Sequence, residues 1–375
     1  MVAPAPAQGH TAGRPPFGPL SWNALALAAI WAPHPGEGGN IIREGCMVPI
    51  RLAGTGSFLP EKILTNFDLE KSLDTSDEWI VRRTGIRERR IAEPDQVTSD
   101  LALPAARLAL EAAGITDADL DYIIMATITP DTCCPCGANV LQAKLGAPNA
   151  VTFDVAGACS GFVFAMDVAM RYLQAGAGKN ILVVAAEVMS RVVDWTDRST
   201  CVLWGDGAGA VVLSAAQGGP QIIENYIATD GANGQNLLVA GGGSSTTPIS
   251  HESVDKKLHT LKLIEASASV RVAVAHFAQA VRTVLERQGL TVDDVDHFIP
   301  HQANIRMLQS LANRLGVDFD KKFVITIDRY ANISSASSAI ALDEAVRTGR
   351  IKPGDLVCVT VFGGGLTWGA SLIQF

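Results

Sequence analysis

Long apolar runs are missing where one would matter most. The stretch WNALALAAIWA, residues 22–32, holds only 11 residues, and a bilayer needs about 20. Only Arg14 puts positive charge ahead of it and no A-x-A cleavage pattern follows it, so a secretory signal is not the expectation. Basic excess is also missing. The net charge is -8, so the field of the whole molecule does not draw nucleic acid, and an acidic partner would need a local basic patch. The seven cysteines (Cys46, Cys133, Cys134, Cys136, Cys159, Cys201, Cys358) form no disulfide-like framework. In a chain of this length they point to a reducing compartment, the cytoplasm. TCCPCG, residues 132–137, has no second cluster at zinc spacing, which argues against a metal. GDGAGA, residues 205–210, precedes a strand pattern rather than a helix, which argues against a nicotinamide cofactor. No cofactor is expected.

What is present is core. Hydrophobic residues make up 48% of the chain and charged residues 18%, a globular composition. Residues 1–46 differ: they are rich in Pro, Gly and Ala and lack periodicity, so they read as disordered. Codons for Arg43-Glu44-Gly45 can spell a ribosome-binding site just before Met47. The expected native start is therefore Met47, with 1–46 a mis-annotated extension.

From Met47 on, short apolar strands alternate with helical patterns. YIIMATI (122–128), VTFDVA (151–156), NILVVAAE (180–187) and GAVVLS (209–214) read as strands, residues 100–113 and 162–174 as helices. Such alternation predicts an α/β fold with buried central strands. EAAGITDADLDYIIMA (111–126) resembles ERQGLTVDDVDHFIPH (286–301), TFDVAGACSG lies about one repeat from TIDRYANISSAS, and both halves close with what reads as a Gly-rich turn and an apolar strand. The offset is far too long for a solenoid. It predicts two duplicated halves, 47–220 and 221–375, packed about a pseudo-twofold axis. Equivalent loops then meet near the axis, carrying Cys159 from one half and His301 and Asn332 from the other.

Cys159 lies between a strand and a helix start, where the helix dipole and free N–H groups stabilise a thiolate. A buried core thiol is the blander reading. His301 stands at the end of an apolar strand, where site residues gather in α/β layers; a capping or surface histidine is its alternative. Asn332 precedes a helix, and taken alone it reads as a cap. Together the three suit one reaction. A thiolate takes an acyl group from a thioester. An imidazole N–H and an amide N–H hold an enolate oxygen. No carboxylate base is needed if the carbanion forms by loss of carbon dioxide.

From Met47 to Phe375 the chain resembles the 3-oxoacyl-[acyl-carrier-protein] synthase III family, of thiolase fold. The resemblance is carried by DTSDEWIVRRTGIRERRI (74–91), DVAGACSGF (154–162), DWTDRST (194–200), GDGAGA, PHQANIR (300–306), NISSAS (332–337), ALDEAVRTGRIKPGDLV (341–357) and FGGGLTWGA (362–370). It implies a five-layered α-β-α-β-α architecture and a ping-pong condensation that starts fatty acid synthesis. Cys159 would be acylated by acyl-CoA, and malonyl-acyl carrier protein would then lose carbon dioxide. His301 and Asn332 would hold the enolate, the N–H groups of Cys159 and Gly364 would form the oxyanion hole, and Phe362 would pack near the sulfur. Trp79, Arg83 and Arg198 match positions that hold the CoA nucleotide, and Asn304 one that lines the pantetheine tunnel. Arg271, Arg306 and Arg314 match positions that dock the carrier protein. Family members are homodimers.

Three departures stand out. Cys134 occupies a position where some members place a phenylalanine that walls the primer pocket across the dimer, so a primer larger than acetyl is expected. LIEASASVRVAV (263–274) replaces the common pattern, and Ala266 and Val270 would reshape the tunnel. Ile333 stands where threonine is common. An elongating synthase would carry a second histidine at Asn332, and a thiolase a second cysteine near FGGGLTWG. An acyl-CoA enzyme of specialised, polyketide-type metabolism and a non-catalytic acyl-binding scaffold stay as alternatives.

Overall fold

A computed structural model of the chain describes residues 48–375 apart from 235–236, 245–248 and 264–265. The expectations for residues 1–46 and for a start at Met47 fall outside the described residues. So do those for the side chains of Ala266 and Val270.

In chain order the strands are β1 (Ile50–Phe58), β2 (Ile63–Thr65), β3 (Glu88–Arg90), β4 (Tyr122–Ala126), β5 (Val151–Val155), β6 (Asn180–Val188), β7 (Asp206–Ala215), β8 (Gln221–Gly234), β9 (Leu237–Val239), β10 (Leu261–Leu263), β11 (His297–Pro300), β12 (Leu356–Gly363) and β13 (Gly365–Gln374). Nine of them form one sheet in the order β11-β12-β13-β8-β1-β7-β6-β4-β5. β2 pairs with β3 and β9 with β10 in two small ribbons.

The sheet contains one arrangement twice. β4 and β6 are parallel neighbours, as are β11 and β12. β6 runs antiparallel to β7, and β12 to β13. β7 then pairs with β1, and β13 with β8. The two series join where Ile50 faces Ile222 and Arg51 faces Gln221. The duplication extends to the turns. The Thr116 N–H and hydroxyl donate to Asp119 Oδ2 at 2.9 and 2.7 Å. Thr291 makes the same two bonds to Asp294 Oδ2, at 2.7 and 2.8 Å.

Residue parity along the strands sorts the layers. Ile124, Ala126, Ile181, Val183, Ala185, Val211 and Leu213 face inward, onto the helices Gly161–Gln174 and Ala336–Arg347. Ile123, Met125, Leu182, Val184, Ala186 and Val212 face the opposite way, onto Thr98–Ala113 and Gly137–Leu145. In the second half Phe298, Cys358, Leu356 and Leu372 pack on Ala266–Arg287 and Ile305–Leu315. Strands covered on both faces have no polar face to show, which is why these segments read as unbroken apolar runs.

Gly207 and Gly209 of GDGAGA are strand residues of β7 rather than part of a turn before it. The cause is close packing: a Cβ on Gly209 would lie 2.6 Å from Ala339 Cβ. The helix that follows His301 begins at Ile305, with Asn304 as its N-cap.

Candidate active site

The chain leaves β5 through Val155-Ala156-Gly157 and enters a tight turn, Ala158–Ser160, ahead of the helix Gly161–Gln174. Ala158 has φ +46°, a left-handed conformation that costs an L-residue about 1 kcal/mol or more and persists only where the surroundings enforce it. Those surroundings are the C-terminal hairpin. The Ser160 hydroxyl donates to Thr367 O at 3.0 Å, and the Thr367 hydroxyl donates to Gly157 O at 3.3 Å. Gly363 passes so close that a Cβ there would sit 2.8 Å from Cys159 N and 3.0 Å from Ser160 N.

The Cys159 sulfur is buried. Burial, with the Glu187 carboxyl adding to it, pushes the thiol up to about 12. The Ser334 hydroxyl and the N–H groups of Cys159 and Gly364 act on the sulfur in the opposite sense and are outweighed. The helix start alone therefore does not yield the thiolate expected from sequence.

His301 directly follows β11, and its N–H donates to Thr360 O at 2.8 Å. Gln302 braces this strand end. Its Nε2 donates to Pro300 O and Val324 O at 2.8 and 3.1 Å, and its Oε1 accepts from the N–H groups of Thr326 and Ile327. The imidazole is 1% exposed, and burial lowers its pKa from 6.5 to about 3. It is uncharged at neutral pH.

Asn332 is not a helix cap, since Ser335 takes that position ahead of Ala336–Arg347. Its backbone is held between Leu203 O and Gly205 N. Its Oδ1 accepts from Ser334 N–H at 2.8 Å, so the group the amide presents is Nδ2, a donor. The same turn carries the Ser334 hydroxyl that acts on Cys159. The loops of the two halves thus bring the thiol and the Asn332 turn together.

Beside this turn lies a cavity of about 340 Å³ lined by Ile128, Ala158, Val192, Gly234, Leu237, Val239, Leu261, Gly364 and Gly365. It touches Ala158, the residue before Cys159, and Gly364. Its walls were not found from sequence, because they come from six separate segments. Phe362 lies one residue before Gly363, with its ring stacked at 6.2 Å from His276 and tilted at 6.0 Å from Phe277.

On the surface, the Arg83 and Arg198 guanidinium groups lie 4.9 and 5.4 Å from the centre of the Trp79 ring. Arg198 also donates to the Asp74 carboxylate at 3.1 Å. Asn304 uses its amide structurally: Oδ1 accepts from Arg306 N–H at 2.9 Å and Nδ2 donates to Arg83 O at 3.0 Å. This bond ties the Trp79 helix, Asp77–Thr84, to the segment that follows His301. Arg306 Nε donates to Arg82 O at 3.0 Å, and Arg282 reaches Arg314 O at 2.9 Å. Arg271, Arg306 and Arg314 are all exposed. Cys134 is exposed as well and is absent from the cavity wall. It precedes a cis proline, Pro135, while Asp154 accepts from the N–H groups of Gly137 and Ala138 at 2.7 and 2.8 Å. Among the described residues no group of three or more His, Cys, Asp or Glu is placed to hold a metal, and no helix is long and apolar enough to cross a membrane.

Known proteins match this arrangement. The model for 3-oxoacyl-[acyl-carrier-protein (ACP)] synthase III matches residues 153–231, and that for its C-terminal part matches residues 285–375. A beta-ketoacyl-[acyl-carrier-protein] synthase III from Caldanaerobacter subterraneus is 50% identical over 86% of this chain and 97% of its own length. The crystal structure of 3-oxoacyl-[acyl-carrier-protein] synthase III from Aquifex aeolicus has 41% identity and a TM-score of 0.79, over 87% of this chain and all of that one. The priming beta-ketosynthase of the R1128 polyketide pathway has 36% identity and a TM-score of 0.80, over 89% and 98%. With half of its aligned residues identical to a full-length relative, and a doubled strand series that superposes on solved members, the chain belongs to the 3-oxoacyl-[acyl-carrier-protein] synthase III family.

Proposed function

We propose that this chain condenses an acyl-CoA primer with malonyl-acyl carrier protein, releasing CoA and carbon dioxide and so starting fatty acid synthesis. Cys159 takes the acyl group, and the N–H groups of Cys159 and Gly364 receive the oxyanion of the tetrahedral adduct. Malonyl-carrier protein then enters, and His301 and Asn332 hold its thioester oxygen as carbon dioxide leaves. The enolate carbon attacks acyl-Cys159, and the thiol is set free. The observation that carries this reading is a pair of polar groups without charge. A neutral imidazole and an amide whose oxygen is already engaged both supply N–H donors, and neither repels the malonyl carboxylate or the growing enolate.

Trp79, Arg83 and Arg198 form a cationic aromatic platform suited to the nucleotide end of CoA. Arg271, Arg306 and Arg314 serve as the basic docking face for the acidic carrier protein, with Phe362 and Asn304 along the path to the sulfur. We place the boundary of the two halves at 220/221. The enzyme acts in the cytoplasm as a homodimer. β5 supports this, since it is the outer strand of the nine-stranded sheet and exposes 56% of Val151. Cys134 would then face the partner's primer cavity and leave room for a primer larger than acetyl.

Intact-mass detection of acyl-enzyme with a panel of acyl-CoAs, followed by product analysis with malonyl-carrier protein, tests the reading. Acylation that survives Cys159→Ala would overturn it. The likeness to the R1128 priming ketosynthase favours a second reading, in which the same chemistry primes a polyketide. Product analysis separates the two.

A further inference from the structure

One buried cation has no part in the reaction above. Arg89 lies in β3 and is fully buried. Burial lowers its pKa to about 10, so the guanidinium is still charged at neutral pH. Among the described residues it donates to no carboxylate; uncharged oxygens hold it instead. Nη1 donates to Leu64 O at 3.1 Å. Nη2 donates to Asn66 Oδ1 at 2.9 Å and to Val202 O at 3.0 Å. Nε is buried without a partner, so the two terminal nitrogens set the position of the group. A buried charge held this way fixes its neighbours, because losing any one bond leaves it poorly solvated.

Those neighbours reach the two segments that carry Trp79, Arg83 and Arg198. Asn66 is itself fully buried. With Oδ1 taken by Arg89, its Nδ2 donates to Asp77 Oδ1 at 2.9 Å and to Ile86 O at 2.8 Å. Asp77 opens the helix Asp77–Thr84, which carries Trp79 and Arg83, and Ile86 lies just past its end. Val202 belongs to the turn Cys201–Leu203. That turn is tied back to Asp197, whose carbonyl accepts from Thr200 N–H at 3.1 Å and from Cys201 N–H at 3.0 Å, and Arg198 lies inside the loop so closed. At the surface Arg198 pairs with Asp74 at 3.1 Å, but both side chains are exposed and solvent screens the pair.

We propose that Arg89 is a positioning residue for CoA: acting through Asn66 and Val202, its guanidinium holds the helix of Trp79 and Arg83 and the loop of Arg198 at one fixed spacing. The inference rests on the reading of Trp79, Arg83 and Arg198 as the platform for the nucleotide end of CoA. Being fully buried, Arg89 acts only through the residues it holds. A platform fixed before CoA arrives does not have to be ordered by binding, and that saving appears as affinity for acyl-CoA. The planar fork is what the task needs. It serves oxygens on β2, on Asn66 and on the Val202 turn at once, whereas a lysine would keep the charge as a single point on a flexible stem.

The test measures the concentration dependence of acyl-enzyme formation by intact mass, with acyl-CoA and with a short acyl thioester lacking the nucleotide. It compares wild type, Arg89→Lys, Asp77→Ala and Asp77→Asn. Arg89→Lys should raise KM for acyl-CoA by about 5–30-fold, as loss of the platform itself would, and leave the short thioester within a few-fold. Asp77→Ala cuts the link from Asn66 to the helix at a half-buried position and leaves the guanidinium in place. It should raise KM for acyl-CoA by about 2–10-fold, the worth of one hydrogen bond. Asp77→Asn keeps an acceptor oxygen for Asn66 and should restore the wild-type value. Charge alone predicts the opposite, since both Asp77 variants remove a negative charge facing a polyanionic ligand and would lower KM together. If Arg89→Lys does not fold, the Asp77 pair decides. Unchanged KM for acyl-CoA in Asp77→Ala, equal losses toward both thioesters, or a lower KM in both Asp77 variants would each overturn the inference. A Trp79→Ala variant with the wild-type KM for acyl-CoA overturns the platform reading instead.

Discussion

Replacing His301 by glutamine should remove a dependence of stability on pH whose size follows from burial. In the folded chain the imidazole titrates near 3, against 6.5 when exposed. Between these values the unfolded chain binds a proton that the folded chain refuses. Protons therefore favour unfolding, and stability falls as pH drops below 6.5. The penalty is RT ln(1 + 10^(6.5 − pH)), about 0.2 kcal/mol at pH 7 and about 2 kcal/mol at pH 5. Wild type should thus lose about 2 kcal/mol more than His301→Gln between these pH values. Urea titrations of both proteins at both pH values measure the difference, and every other titrating group cancels in the comparison. Parallel losses would show that the imidazole is not held neutral by burial, and would remove the argument that it donates as an uncharged group.

Asn332→Ala should cut decarboxylation of malonyl-carrier protein by about 10²–10³-fold while leaving acyl-enzyme formation within a few-fold; the two half-reactions measured separately check this. Gly363→Ala places a Cβ 2.8 Å from Cys159 N; acyl-enzyme formation seen by mass should be lost although the circular dichroism spectrum is kept. Trp79→Ala removes the face between Arg83 and Arg198. It should raise KM for acyl-CoA by about 5–30-fold, the equivalent of 1–2 kcal/mol, with no change toward a short acyl thioester lacking the nucleotide.

Cys159, His301 and Asn332 stood out as candidates because each sits in a short segment where an apolar strand or loop gives way to a helix start. The strand series was legible for the same local reason. The cavity beside Gly364 was not: Ile128, Val192, Leu237 and Leu261 are ordinary apolar residues, and only the fold places them side by side. The thiol argument failed on a quantity that spacing does not encode, since the helix start was correctly placed but the depth of burial outweighed it.

The close passage of Gly363 over Cys159 also sets a timetable. A ribosome that has synthesised the nucleophile turn still has some two hundred residues to make before the hairpin of β12 and β13 can cover it. Until that hairpin lands, Gly364 N–H is absent from the sulfur. On the chemistry proposed above, the enzyme stays unarmed toward acyl-CoA until its final strands are in place.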